Sequence, residues 1–174
     1  MARRAPTPLA VIACGALAGA AGTAAMDVLL YRRYAADGGD QGFRDWETAA
    51  GVESYDAAPA PAQVGRRLVE GFLQSDLPPG SARLMTNVMH WATGVAWGVN
   101  HGIVVGSMTR RRPSYGLITG MTAWSASYAT LAPAGLYEPI WRYPPVVLAE
   151  DASAHAVYGL VTGTVFRLFA GRRA

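Results

Sequence analysis

Residues 84–108, LMTNVMHWATGVAWGVNHGIVVGSM, form 25 positions without a formal charge when the histidines are neutral, bounded by Arg83 and by Arg110, Arg111 and Arg112. As a helix rising about 1.5 Å per residue the stretch covers roughly 37 Å, against a hydrocarbon core about 30 Å thick. It therefore predicts a membrane-spanning helix with arginines anchored at both ends. Within it Gly94, Gly98, Gly102 and Gly106 recur every fourth residue. Each glycine costs a soluble helix about 1 kcal/mol relative to alanine. In lipid the same spacing lets a second backbone come close, and packing replaces the hydrophobic drive between helices.

Three further spans follow from this one. Residues 9–31 are apolar and rich in small residues, broken only by Asp27; residues 114–131 carry several hydroxyls; residues 149–170 again hold glycines, Gly159 and Gly163. For the first, Ala-Gly-Thr-Ala-Ala is a rival cleavage site and the run ending in Cys14 a rival lipidation site, but the apolar pattern continues to Leu30, which favours a retained helix. The prediction is an all-α integral membrane four-helix bundle, one domain over residues 1–174, with an extramembrane loop at 32–83. That loop contains eight acidic residues and the turn-forming runs DGGDQG and DLPPG. Its segment 61–74 places Val64, Leu68, Val69, Phe72 and Leu73 on one side and Arg66, Arg67, Glu70 and Gln74 on the other, an amphipathic helix for the membrane surface or the bundle mouth, with Ser81 as cap for the next helix.

All 15 basic residues are arginine, the net charge is +3, and the arginines stand at the ends of apolar runs instead of in one aromatic-interleaved patch. The expected partner is a lipid bilayer and not nucleic acid. Seven arginines (Arg3, Arg4, Arg110, Arg111, Arg112, Arg172, Arg173) fall on the side of the termini and four (Arg32, Arg33, Arg83, Arg142) on the other, which puts both termini in the cytoplasm. One cysteine excludes an intrachain disulfide and a paired-cysteine zinc site, and no cofactor or metal motif is present.

Two patterns bear on function. His90, Gly94, Gly98 and Gly106 match His155, Gly159, Gly163 and Gly171 in spacing, and Gly15 and Gly19 match Gly116 and Gly120. Together they predict two helical hairpins related by a pseudo-twofold axis along the membrane normal. Measured from the long-loop side, Asp27, His90 and His155 lie about 6 to 9 Å inside their helices, at one depth. Asn87, Trp97 and His101 share the face of His90; Asp151, Tyr158 and Thr162 share that of His155. Ionisable groups at membrane depth are costly toward lipid, so this polar layer should point inward. An Asp151–His155 pair facing His90 and Asp27 has the ingredients of a proton relay.

The runs HWATGVAWG, YGLITGMTAWSASYATLAPAGLYEP and AHAVYGLVTG resemble the YagU-like bacterial membrane proteins over residues 84–170. The resemblance implies about four spans with a long first loop, a bacterial plasma-membrane location and a link to acid stress, and it supplies no catalytic residue. The resulting expectation is a non-enzymatic multi-pass plasma-membrane protein, structural or stress-related, whose polar layer packs a closed bundle. The alternative is a small proton-linked transporter or channel, a homo-oligomer since four short helices leave little room for a pathway, with a cavity reaching His90 and His155 from the long-loop side.

Overall fold

The computed structural model describes residues 7–171, and within them the chain is all-helical. Six α-helices run in the order α1 (Pro8–Ala36), α2 (Phe43–Glu47), α3 (Ala60–Leu73), α4 (Ala82–Ser107), α5 (Ser114–Leu131) and α6 (Pro145–Ala170). Arg3, Arg4, Arg172 and Arg173, used above to orient the chain, lie outside the described residues.

Helix ends follow local chemistry. The Thr7 hydroxyl accepts from Ala10 N at 3.2 Å with Pro8 at the first position, and the fixed φ of Pro145 opens α6 in the same way. Two boundaries differ from expectation. The first helix does not stop at the arginines, which are good helix formers, but runs on to Ala36, with Asp37 as its cap and Gly38 at φ +90° turning the chain away. The fourth starts at Pro145, four residues before 149. Ser81 precedes α4 but does not cap it: its hydroxyl donates to Pro78 O at 2.7 Å and lies 2.8 Å from the Tyr55 hydroxyl.

Judged by length and composition, α1 alone among the described helices is long and apolar enough to cross a membrane. In α4, α5 and α6 the histidines, hydroxyls and Asn87 and Asn100 dilute the apolar residues. The integral four-span bundle is thus carried by composition for one helix only.

The long helices stand side by side in the spatial order α4, α1, α6, α5, while α4 and α5 meet only at a few points. Glycine sets the close contacts. A methyl at Gly15 would stand 2.6 Å from Gly98 O, one at Gly19 2.9 Å from Gly98 Cα, and one at Gly102 2.8 Å from Val11 O, so the ladder on α4 faces α1 as expected. Gly116 packs on Gly159 in the second hairpin, and Gly120 on the His155 carbonyl.

This corrects the pseudo-repeat. Gly15 lies first against Gly98, so the proposed register would set Gly116 first against Gly163; Gly116 instead lies first against Gly159, with Gly163 one turn on also in contact, a register shifted by one turn. A twofold axis that brought α1 against α6 would also bring α5 against α4 to the same extent, and those two meet at only a few points. Gly171 is no ladder glycine: it follows the last turn of α6 at φ +76°.

Two apolar clusters cap the ends. Ala18, Val105 and Phe166 pack with Val11, Cys14 and Tyr115 at one end; Tyr55, Ala58, Ala62 and Ala82 pack with Val52, Leu77 and Met85 at the other. The second seats α3 on α4 by its small face. Ala62 and Gly65 turn inward, Gly65 against Met85 and Met89, while Leu68, Phe72 and Leu73 are exposed. A glycine contact lets α3 approach α4 closely, so the small face is buried and the large apolar face is left outside.

Candidate functional site

Because α4 and α5 diverge, a cleft of about 450 Å³ opens between them at the long-loop end, with α3 over its mouth through Pro61 and Val64. His90, Gly94 and Trp97 enter it from α4, Ser127 and Thr130 from α5, and Asp151, His155 and Tyr158 from α6. The expectation of a closed bundle is not met. Both histidines of the predicted layer line one space.

Each histidine has its own carboxylate. His90 Nε2 lies 3.0 and 3.1 Å from the two Asp27 oxygens, and Asp27 is 2% exposed. His155 Nδ1 lies 3.2 Å from Asp151 Oδ1 and 3.0 Å from the Asp151 carbonyl one turn back. The layer is therefore two pairs facing a common cleft: one links α1 to α4, the other is internal to α6. Tyr128 donates to Asp151 Oδ2 at 3.0 Å, and Tyr158 donates across the bundle to Gly94 O at 2.6 Å. Gly94 lies beside Thr23, and Tyr158 with Thr162 packs on Gly22.

Two predicted members lie elsewhere. Asn87 donates to Thr48 O at 3.0 Å and Arg83 O at 2.8 Å, fastening α4 to the loop after α2. His101 is 1% exposed, with Nδ1 2.8 Å from the Thr119 hydroxyl and its ring edge-on to Phe166 at 5.4 Å, a packing histidine. Arg33, counted above toward the orientation of the chain, ties α1 to α6 by donating to Glu150 O and Ser153 Oγ, each at 2.8 Å.

One participant left no signal in the sequence. Glu47 ends the five-residue α2, which Phe43 and Trp46 hold to Tyr31 at ring distances of 5.1 and 5.6 Å. There its carboxyl meets Asp27, His90 and Trp91. Burial and the Asp27 charge push it above its ordinary 4.5, opposed by His90 and the Trp91 N–H. Burial and Asp151 likewise raise the Tyr137 phenol, which keeps its proton at neutral pH.

A testable consequence has a definite sign. A carboxyl with a raised folded-state pKa contributes fully below its unfolded value, and the contribution is lost as pH rises through the folded value. Glu47→Gln, neutral throughout, is expected to melt higher than wild type at about pH 7, with the gap closing toward pH 4.5. A Gln variant that melts lower at neutral pH would mean the fold needs the ionised Glu47.

Among the described residues no three His, Cys, Asp or Glu side chains converge as metal ligands. No protein-family model, curated protein or solved structure matches the chain.

Proposed function

We propose that the protein is a multi-pass bacterial plasma-membrane protein that works as a small proton-linked transporter or channel, with the α4–α5 cleft as its binding chamber. The observation that carries this reading is the cleft itself: about 450 Å³, reached by both carboxylate–imidazole pairs from the long-loop side. Imidazole exchanges protons near neutrality, and a carboxylate partner holds the ring in place while the proton comes and goes. A packing role would leave no reason for the chamber.

The membrane placement is supported by an inverted surface. Leu17, Val28, Val88, Ile103, Ile118 and Leu168 are exposed on the outer sides of the long helices, while glycines, Thr23, Asp27 and Thr162 fill the inside. A soluble bundle would place them the other way round. The exposed Leu68, Phe72 and Leu73 of α3 and Trp141, 82% exposed, suit the interface. Kinship with the YagU-like proteins belongs to the same proposal and rests on the runs quoted above.

Cysteine labelling tests the reading without a known substrate. With Cys14 replaced by alanine, Ser127→Cys places a thiol in the cleft, Ser125→Cys on the outer face of α5 and Ser75→Cys in the loop. An impermeant maleimide added outside intact cells is expected to label positions 127 and 75 but not 125. The ratio of the first two rates, which cancels the thiol's own titration, should change between about pH 5.5 and 7.5, where histidine titrates. Asp27→Asn should flatten that change. Labelling at 125 would overturn the membrane reading; an unlabelled 127, or a pH-independent ratio, would overturn the proton-linked chamber.

A further inference from the structure

The charge inventory of the cleft is one-sided. No arginine lines it and the chain has no lysine. The fixed charges within reach are acidic: Asp151 on the wall, Asp27 behind His90, and Glu47 beyond. Three aromatic side chains, Trp97, Tyr137 and Tyr158, share the wall with Asp151, and Met26, Met89 and Leu131 make up much of the rest. Resting on the reading of this cleft as a proton-linked chamber, we propose that its ligand is a lipophilic organic cation, held by the Asp151 carboxylate and the aromatic faces in exchange for a proton on the neighbouring imidazole.

The alternatives fit less well. An anion would meet no guanidinium, and each imidazole that lines the cleft already has a carboxylate beside it. A small hydrated cation needs several oxygen or nitrogen ligands at one point, and no three His, Cys, Asp or Glu side chains converge among the described residues. A neutral solute would desolvate the Asp151–His155 pair without offering either member a charged partner. A cation with delocalised charge and an apolar body instead satisfies the carboxylate, finds aromatic faces for its charge and packs against adaptable methionines. The chamber volume lies within the range of about 300 to 1,000 Å³ usual for such ligands. Divergence of α4 and α5 also leaves the flank of the chamber open between helices with apolar outer surfaces, an entry for a molecule dissolved in the bilayer.

Exchange follows from what faces Asp151. His155 is on its own helix at 3.2 Å; Tyr128 of α5 donates at 3.0 Å; Tyr137 approaches from the α5–α6 connection, with the Tyr143 ring behind on Tyr128. Across the cleft stand His90 with Asp27, and Glu47 behind them. Arg33 of α1 is committed to Glu150 O and Ser153 Oγ on the flanking turns. Of these neighbours only His155 is a base in contact with Asp151, and as an imidazolium it pairs with the carboxylate. When a ligand cation takes over that role the imidazolium loses its partner and its proton leaves to solvent, so one cation enters as one proton departs.

Tetraphenylphosphonium is the probe, followed on detergent-purified protein by tryptophan fluorescence, which Trp97 reports from within the cleft, and by proton release in weak buffer. Saturable binding with about one proton released is expected, weakening about tenfold per pH unit once the exchanging group is protonated. Tetraphenylborate and neutral triphenylphosphine oxide should bind at least tenfold more weakly, and Asp151→Asn should weaken cation binding at least tenfold and remove its pH dependence. Equal binding of the neutral analogue, absence of saturable cation binding, or binding without proton release would overturn the proposal, and the analogue and pH series need only wild-type protein. A cleft that labels with pH dependence at position 127 yet takes up no cation would remove the ligand class alone, whereas a cleft that does not label removes the chamber as well.

Discussion

Replacing Gly98 by leucine is expected to separate α1 from α4 and cost more than about 3 kcal/mol, above the usual range for overpacking, because the obstacle is backbone. A Cβ at this position falls on Gly19 Cα and on the carbonyl oxygen of Gly15, neither of which can rotate away. The whole α1 helix would have to retreat, and with it the Asp27–His90 pair that closes the same interface. Gly163→Leu should act likewise on α5, where Pro113 O and Gly116 occupy the space. Val104→Leu is the control: Val104 is 46% exposed on the outer side of α4, and its substitution should stay within about 0.5 kcal/mol. For a chain of this size 1 kcal/mol corresponds to roughly 2 to 4 °C in Tm, so thermal melts in detergent separate the cases. If Gly98 and Val104 tolerate leucine equally, close backbone contact does not hold α1 to α4.

The glycine ladder was legible because its signal is local: four positions at one spacing define a face whatever the neighbour is, and the same holds for the shared depth of Asp27, His90 and His155. What the sequence could not carry is which helices become neighbours. The matched spacings around His90 and His155 suggest a twofold axis, yet a glycine face accepts a partner at either of two registers one turn apart, and side-chain volume elsewhere selects between them. Glu47 was invisible for a related reason, since a carboxylate in a polar loop reads as solvated until aromatic packing of Tyr31, Phe43 and Trp46 folds that loop back over His90. The face by which α3 meets α4 was not legible because periodicity ranks residues by apolarity, whereas close approach to Met85 and Met89 selected the smallest residue, Gly65. Arg110, Arg111 and Arg112 were read alike as headgroup anchors, and there the structure separates neighbours that the sequence treats alike.

Arg111→Ala is expected to cost about 3 kcal/mol or more, whereas Arg110→Ala next to it should change stability by no more than about 0.5 kcal/mol. Arg110 is exposed; Arg111 is 4% exposed, the one arginine buried among the described residues. Its guanidinium donates to Ala170 O at 2.6 Å and to Gly106 O at 3.0 Å, with Gly171 O at 3.4 Å, so one planar fork joins the carboxyl ends of α6 and α4. Those last carbonyls have no partner within their own helices and carry the negative end of each helix dipole, which makes a buried cation there favourable and its removal costly. Truncation leaves the carbonyls unpaired beside the Val105–Phe166 cluster. Arg111→Lys keeps the charge but offers a point donor in place of a fork, and should recover less than half of the loss. Melting temperatures of the three variants decide the matter: equal effects at 110 and 111 would return Arg111 to the headgroups, and full rescue by lysine would show that charge alone, without the bridging geometry, holds the two helix ends.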